Sequence, residues 1–142
     1  MWRTLLVGTA IVIAGYVLVN LLITTDLERV ENDVERALEH ARQGGDDAAE
    51  AVLSILADDY DGEYPRRSIE TYVRRYVGQK RVRELTTGGY KAIWKGEEIV
   101  IPILRLDVET DHGSGRAILR VTFAERDGAW KVVNVGRWRL ER

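Results

Sequence analysis

The hydrophobic pattern divides the chain into three stretches, each with its own period. Residues 5–24 contain no charge and are apolar at almost every position, so a helix made of them is apolar on all sides. Twenty residues at 1.5 Å each span about 30 Å, the thickness of a bilayer's hydrocarbon core. From Leu27 the apolar residues recur at steps of three and four: Leu27, Val30, Val34, Leu38 and Ala41. That spacing predicts one buried face of a helix, ended by Gly44-Gly45. It begins with a capping box at Thr25 and Glu28 or continues unbroken from the apolar run. Asp46 or Asp47 is expected to cap a second helix carrying Ala48, Ala49, Val52, Leu53 and Leu56. A third starts near Pro65, a residue suited to a first turn, and carries Ile69, Tyr72, Val73 and Tyr76 before Gly78.

Beyond Gly78 the period becomes two. Strands are expected over 82–87, 90–94, 99–109, a run through Ala117, Leu119, Val121 and Phe123, and 130–140. Gly88-Gly89 and Asp127-Gly128 supply turns, and Pro102 demands an edge position or a bulge in the long third strand. Simple alternation there puts Val100, Leu104, Leu106 and Val108 on one face, and Ile99, Ile101, Ile103, Arg105, Asp107 and Glu109 on the other. Helices followed by an antiparallel meander predict an α+β domain, three helices packed on a curved sheet and preceded by one transmembrane helix. The expected division is a short cytoplasmic tail and transmembrane helix over 1–25, then one domain over 26–142.

An uncleaved anchor is expected rather than a signal peptide, because the run is longer than a secretory apolar core and lacks a small-residue cleavage site. Arg3 lies on one flank and Asp26, Glu28 and Glu31 against Arg29 on the other. The positive-inside rule therefore leaves the N-terminus in the cytoplasm and the domain outside, in a single-pass protein of the cell membrane. Lipid is then a partner through residues 5–24. The 142 residues include no cysteine and two histidines, which excludes disulfides, thiolate chemistry and a His-rich metal centre. No cofactor or metal is implied. The net charge of −2 gives no general attraction to nucleic acid, which is not expected as a partner. Within that total, 26–63 carries 13 acids against 3 arginines, whereas 64–83 carries 7 basic residues and one Glu. The basic stretch either answers the acidic helices within the fold or faces an anionic surface.

The run Leu56-Ala-Asp-Asp-Tyr-Asp-Gly62, the helix Ser68-Ile-Glu-Thr-Tyr-Val-Arg-Arg-Tyr76 and the ending Ala124-Glu-Arg-Asp-Gly-Ala-Trp-Lys-Val-Val-Asn134 resemble the NTF2-like (cystatin-like α+β) superfamily over residues 27–142. The resemblance implies a cone of helices and curved sheet. That scaffold serves isomerases, dehydratases, ligand binders and assembly modules. A membrane helix feeding such a domain also resembles the layout of assembly subunits of type IV secretion systems. The leading expectation is a binding or assembly module at the membrane surface, with a protein partner or a second copy meeting the sheet. The alternative is a small-molecule-binding protein or an isomerase- or dehydratase-like enzyme using the cone. In such enzymes a carboxylate in an apolar cavity becomes a usable base because burial raises its pKa. Asp107 and Tyr60 are the catalytic candidates on that reading, with Tyr64, Arg105 and Trp138 as pocket lining. Arg105, Asp107 and Glu109 fit a solvated strand face equally well. The acidic run 58–62 fails as a calcium loop, since Ala57 and Ser68 occupy positions that need carboxylates.

Overall fold

A computed structural model describes the backbone of residues 2–141 and the side chains of residues 6–18 and 26–136. Helix α1, Trp2–Gln43, runs unbroken for 42 residues, about 63 Å at 1.5 Å per residue. The helix therefore continues through Thr25 with no new start there. Its second half buries Val30, Val34, Leu38 and Ala41, the face set by the 3-and-4 spacing. Gly44 ends it in the left-handed region (φ 72°), with its N–H donating to the His40 carbonyl (3.0 Å).

Helix α2, Asp46–Leu53, is capped by Gly45 and not by a side chain; Asp46 and Asp47 lie instead in its first turn, where carboxylates suit the helix dipole. Pro65 stands just before α3, Arg66–Tyr72, in an extended conformation. The chain then continues as a π-helical segment, Val73–Gly78, closed where the Arg81 N–H donates to the Tyr76 carbonyl (2.8 Å).

Five antiparallel strands follow: β1 Val82–Thr87, β2 Ile93–Lys95, β3 Glu98–Thr110, β4 Gly113–Arg126 and β5 Ala129–Glu141. The order is β1-β3-β4-β5, with β2 also on β3. So β1 and β2 do not form a hairpin. They lie end to end along the same edge of β3, β2 opposite 98–100 and β1 opposite 106–110.

The register of β3 against β4 shifts between Ile101 and Leu104. Pro102 lacks a ladder donor and Ile103 is exposed, so this irregularity reverses the alternation. Ile99 and Ile101 consequently share the helix-facing side with Leu104, Leu106 and Val108. That corrects the faces read from simple alternation. The polar set Arg105, Asp107 and Glu109 is left on the outer side.

The helix-facing side is closed by packing. Ile99 pairs with Phe123 and Phe123 with Val132 across three strands, all at most 1% exposed, in one core with Val30 and Val34 of α1. Among the described residues no charged or purely polar side chain is buried there. The outer edge of β5 is covered by residues 55–64. Ala57 N–H donates to the Val132 carbonyl (2.9 Å), Val132 N–H to that of Ile55 (2.7 Å), and Tyr64 N–H to that of Val135 (2.9 Å).

No helix among the described residues is long and apolar enough to cross a membrane. Residue 5 and residues 19–24 of the apolar run lie outside the described side chains. In the part that is described, Ile11, Val12 and Ile13 are 67, 70 and 57% exposed. Successive residues point 100° apart, so every side of this helix is apolar and uncovered.

Candidate functional site

Two clefts flank β1. The first, of ≈ 630 Å³, opens between α1 and the glycine loop and is lined by Glu31, Glu35, Arg42, Thr86, Gly88 and Tyr90, among others. It exists because β1 and β2 are displaced along β3, which leaves the connecting loop to swing toward the helix. Glu31 and Glu35, one turn apart, face that loop. The Tyr90 hydroxyl donates to Glu35 Oε1 (2.7 Å), and the Glu31 carbonyl stands as a longer acceptor (3.3 Å). The Ala92 N–H reaches Glu31 Oε1 (3.4 Å). Arg42 Nε donates to the Leu85 carbonyl (2.8 Å) at the far wall.

Burial, the hydrogen bond to Glu35 and the charges of both glutamates together push the Tyr90 phenol far above its ordinary value. It keeps its proton at neutral pH and donates it in a hydrogen bond to Glu35 rather than acting as a base. The cleft thus offers carboxylates, a neutral phenol and a guanidinium at a polar, open mouth, with the apolar core closed behind it.

The second cleft, of ≈ 430 Å³, lies on the outer face of the sheet and is lined by Glu84, Thr86, Asp107, Glu109, Ser114 and Arg116. Asp107 Oδ1 accepts from Arg116 Nε at 2.7 Å, with both side chains at least 40% exposed. A carboxylate so placed is solvated and paired, without the apolar burial that makes a carboxylate a usable base.

The structure places Tyr60 elsewhere. Its hydroxyl donates to the Tyr64 carbonyl (2.5 Å) and accepts from the Val135 N–H (3.2 Å), clamping the 55–64 segment to β5. Burial raises its pKa. Val135 pairs through Val121 with Ile101, six residues and about 20 Å along β3 from Asp107. Asp107 and Tyr60 are therefore not brought together. Tyr64 stacks on Tyr72, and Tyr72 on Tyr76, with ring centroids 6.4 and 6.2 Å apart. Arg105 is exposed on the outer face beside Gly88, and Trp138 lies outside the described side chains.

The basic stretch is partly answered within the fold. Arg74 meets Glu50 of α2 (2.7 Å), Arg81 approaches Asp111 (3.9 Å), and Arg66 donates to the Ala57 carbonyl over the Tyr60 ring. Among the described residues no three His, Asp or Glu side chains are grouped to hold a metal ion. The Tyr90 cleft escaped sequence reasoning because its walls are 55 residues apart and meet only through the displacement of β1 from β2.

No family model matches the chain, and no curated protein matches it. Solved structures do. An NTF2-like protein with a cystatin-like fold from Novosphingobium aromaticivorans superposes with a TM-score of 0.64 at 17% identity, over 84% of this chain and 85% of its own. An NTF2-like protein of unknown function from Pseudomonas putida gives 0.60 at 13% identity, over 80% and 85%. The fold is NTF2-like. The Δ5-3-ketosteroid isomerase of Mycobacterium sp. has the same architecture, with a TM-score of 0.52 at 16% identity over 78% of this chain and 92% of its own. At such identities the likeness extends to the NTF2-like scaffold and no further.

Proposed function

We propose that the chain is a membrane-anchored NTF2-like domain that serves as a binding or assembly module at a bilayer surface. Residues 5–24 form the anchor, and the C-terminal domain lies on the extracytoplasmic side. The observation that carries this reading is the first half of α1. Its described residues are apolar on every side and covered by nothing in the chain, yet they continue without a break into a helix whose second half is core. Exposing such a surface to water is strongly unfavourable, and lipid removes the penalty. The closed interior supports a module over an enzyme of the cone, since no described carboxylate is buried where desolvation could turn it into a base. A tether also confines the domain to two dimensions and raises its effective concentration toward membrane partners.

The Tyr90 cleft favours a second reading, a small-molecule-binding protein or an isomerase- or dehydratase-like enzyme working at the mouth of the cone. There Glu31 and Glu35 would face a cationic or hydroxylated ligand.

The deciding experiment is alkaline extraction of membranes from cells making the full chain, followed by protease treatment of intact cells. The full chain is expected to stay with the bilayer and its domain to be digested from outside. Release by alkali overturns the anchor, and protection of the whole domain overturns the topology. A ligand that raises the melting temperature of the wild type but not of Tyr90→Phe would move the assignment to the second reading.

A further inference from the structure

The base of the domain, where α1 enters it, carries an aromatic arrangement that neither cleft uses. Trp130, at the start of β5, donates its indole N–H to Asp26 Oδ1 (3.4 Å). Trp94 of β2 meets Trp130 edge-on, with centroids 5.6 Å apart and planes at 73°. Trp130 is almost covered, but Trp94 is 40% and its neighbour Ile93 43% exposed, and Lys95 ends the strand in solvent. Trp94 thus lies two contacts from a helix position only two residues past the apolar run.

We propose that Trp94, with Ile93 and Lys95, is an interfacial foot that seats the base of the domain in the headgroup layer of the bilayer. The proposal rests on the anchor reading and adds to it a second point of contact. If residues 5–24 fill the hydrocarbon core, Asp26 stands about 3 Å beyond its edge, inside a headgroup layer some 5–7 Å deep. Val30, fully buried four residues later, locks this part of α1 to the sheet, so the base cannot stand off from the membrane. An indole has an apolar body and one polar N–H, which suits this boundary better than water or hydrocarbon. Ile93 adds apolar surface, and the lysine stem reaches back to solvent.

Charge at the base is mixed: Asp26 pairs with Arg29 (3.8 Å), Arg126 with Asp59 (3.1 Å), and Lys95 stands opposite Glu98. The foot therefore needs no anionic lipid. One helix alone leaves the domain free to lean. A helix and a foot fix its attitude, holding the Tyr90 cleft above the surface and the 110–113 hairpin at the far end of β3. That hairpin is about 35–40 Å along the strand from Lys95.

The absence of cysteine makes the test clean. Lys95→Cys and His112→Cys, each labelled with an environment-sensitive fluorophore, are reconstituted as full chains in phosphatidylcholine vesicles carrying headgroup nitroxide, and flotation is scored in parallel. The label at 95 is expected to be quenched at least three-fold more than the label at 112. Adding Trp94→Ser to the first variant is expected to halve that quenching in vesicles that still float, at a melting temperature lowered by loss of the edge-on contact with Trp130 but with the folded far-UV circular dichroism retained. Equal quenching at the two sites in floating vesicles overturns the foot and leaves the anchor standing. A label at 95 shielded from both nitroxide lipid and aqueous iodide means that protein covers the site, which also overturns the foot. Failure to float removes the anchor, and the foot with it.

Discussion

Two tyrosine hydroxyls, of Tyr60 and Tyr90, tie segments far apart in the chain, and they do different work. Tyr60 satisfies a carbonyl and an N–H that would otherwise face each other unpaired at the junction of the 55–64 segment with β5. Tyr60→Phe strands both and is expected to lower unfolding free energy by about 1–3 kcal/mol, read from urea midpoints. Asp107 offers the contrast. Its ion pair with Arg116 is exposed, and such pairs are worth about 0–1 kcal/mol. Asp107→Asn is therefore expected to leave stability within about 1 kcal/mol of wild type, and a large loss would show a buried role that the geometry lacks.

Tyr90 makes a pH prediction whose sign is fixed. A phenol held above its ordinary value contributes its full stabilisation below about pH 10, and loses it as the pH rises from there toward the raised folded value. Wild-type stability is expected to fall in that alkaline window, and Tyr90→Phe to fall less steeply. Equal slopes in an alkaline series of denaturation curves would show that burial and the two glutamates do not hold the phenol above its ordinary value.

At the level of elements, the local patterns were legible and their assembly was not. The face of α1, the ends at Gly44 and Gly78, and the strand-forming runs could all be read because each depends on neighbours in sequence. Pro102 announced an irregularity in β3, but alternation alone could not say that one extra residue would be accommodated there and flip the faces, and so it put Ile99 and Ile101 with the wrong neighbours. The same limit hid the Tyr90 cleft and the Trp94–Trp130–Asp26 chain, whose partners are far apart in sequence and meet only through sheet register. Of the sequence candidates, Asp107 and Tyr60 were sound choices by residue type, yet the shifted face and the clamp on β5 separate them.

The clamp itself gives an element-scale test. A Cβ on Gly62 would collide with the Tyr60 hydroxyl and approach Asn134 Oδ1 to 2.9 Å, whereas one on Gly89 would meet nothing within 4 Å. Gly62→Ala is expected to destabilise by about 1–3 kcal/mol, as overpacking does, and Gly89→Ala to change stability by less than about 0.5 kcal/mol. If the two behave alike in thermal melts, the 55–64 segment is not held as described.

At the scale of the whole molecule, the anchor proposed above would make one rod join two solvents. Helix α1 is continuous over 42 residues, but its halves differ: the second packs into the core, whereas the described residues of the first, 6–18, are exposed. Among the described residues the core cluster begins at Leu27. A chain starting at Asp26 is accordingly expected to unfold in urea at a midpoint within about 0.5 kcal/mol of the full chain in detergent. It should also stay monodisperse without detergent, because the removed half carries the large uncovered apolar surface. A loss of several kcal/mol would mean that residues before 26 pack on the domain and that α1 is a core element along its whole length. An unchanged midpoint together with loss of vesicle flotation would assign the two halves of the rod to separate tasks, attachment and folding, linked only by the helix that runs through both.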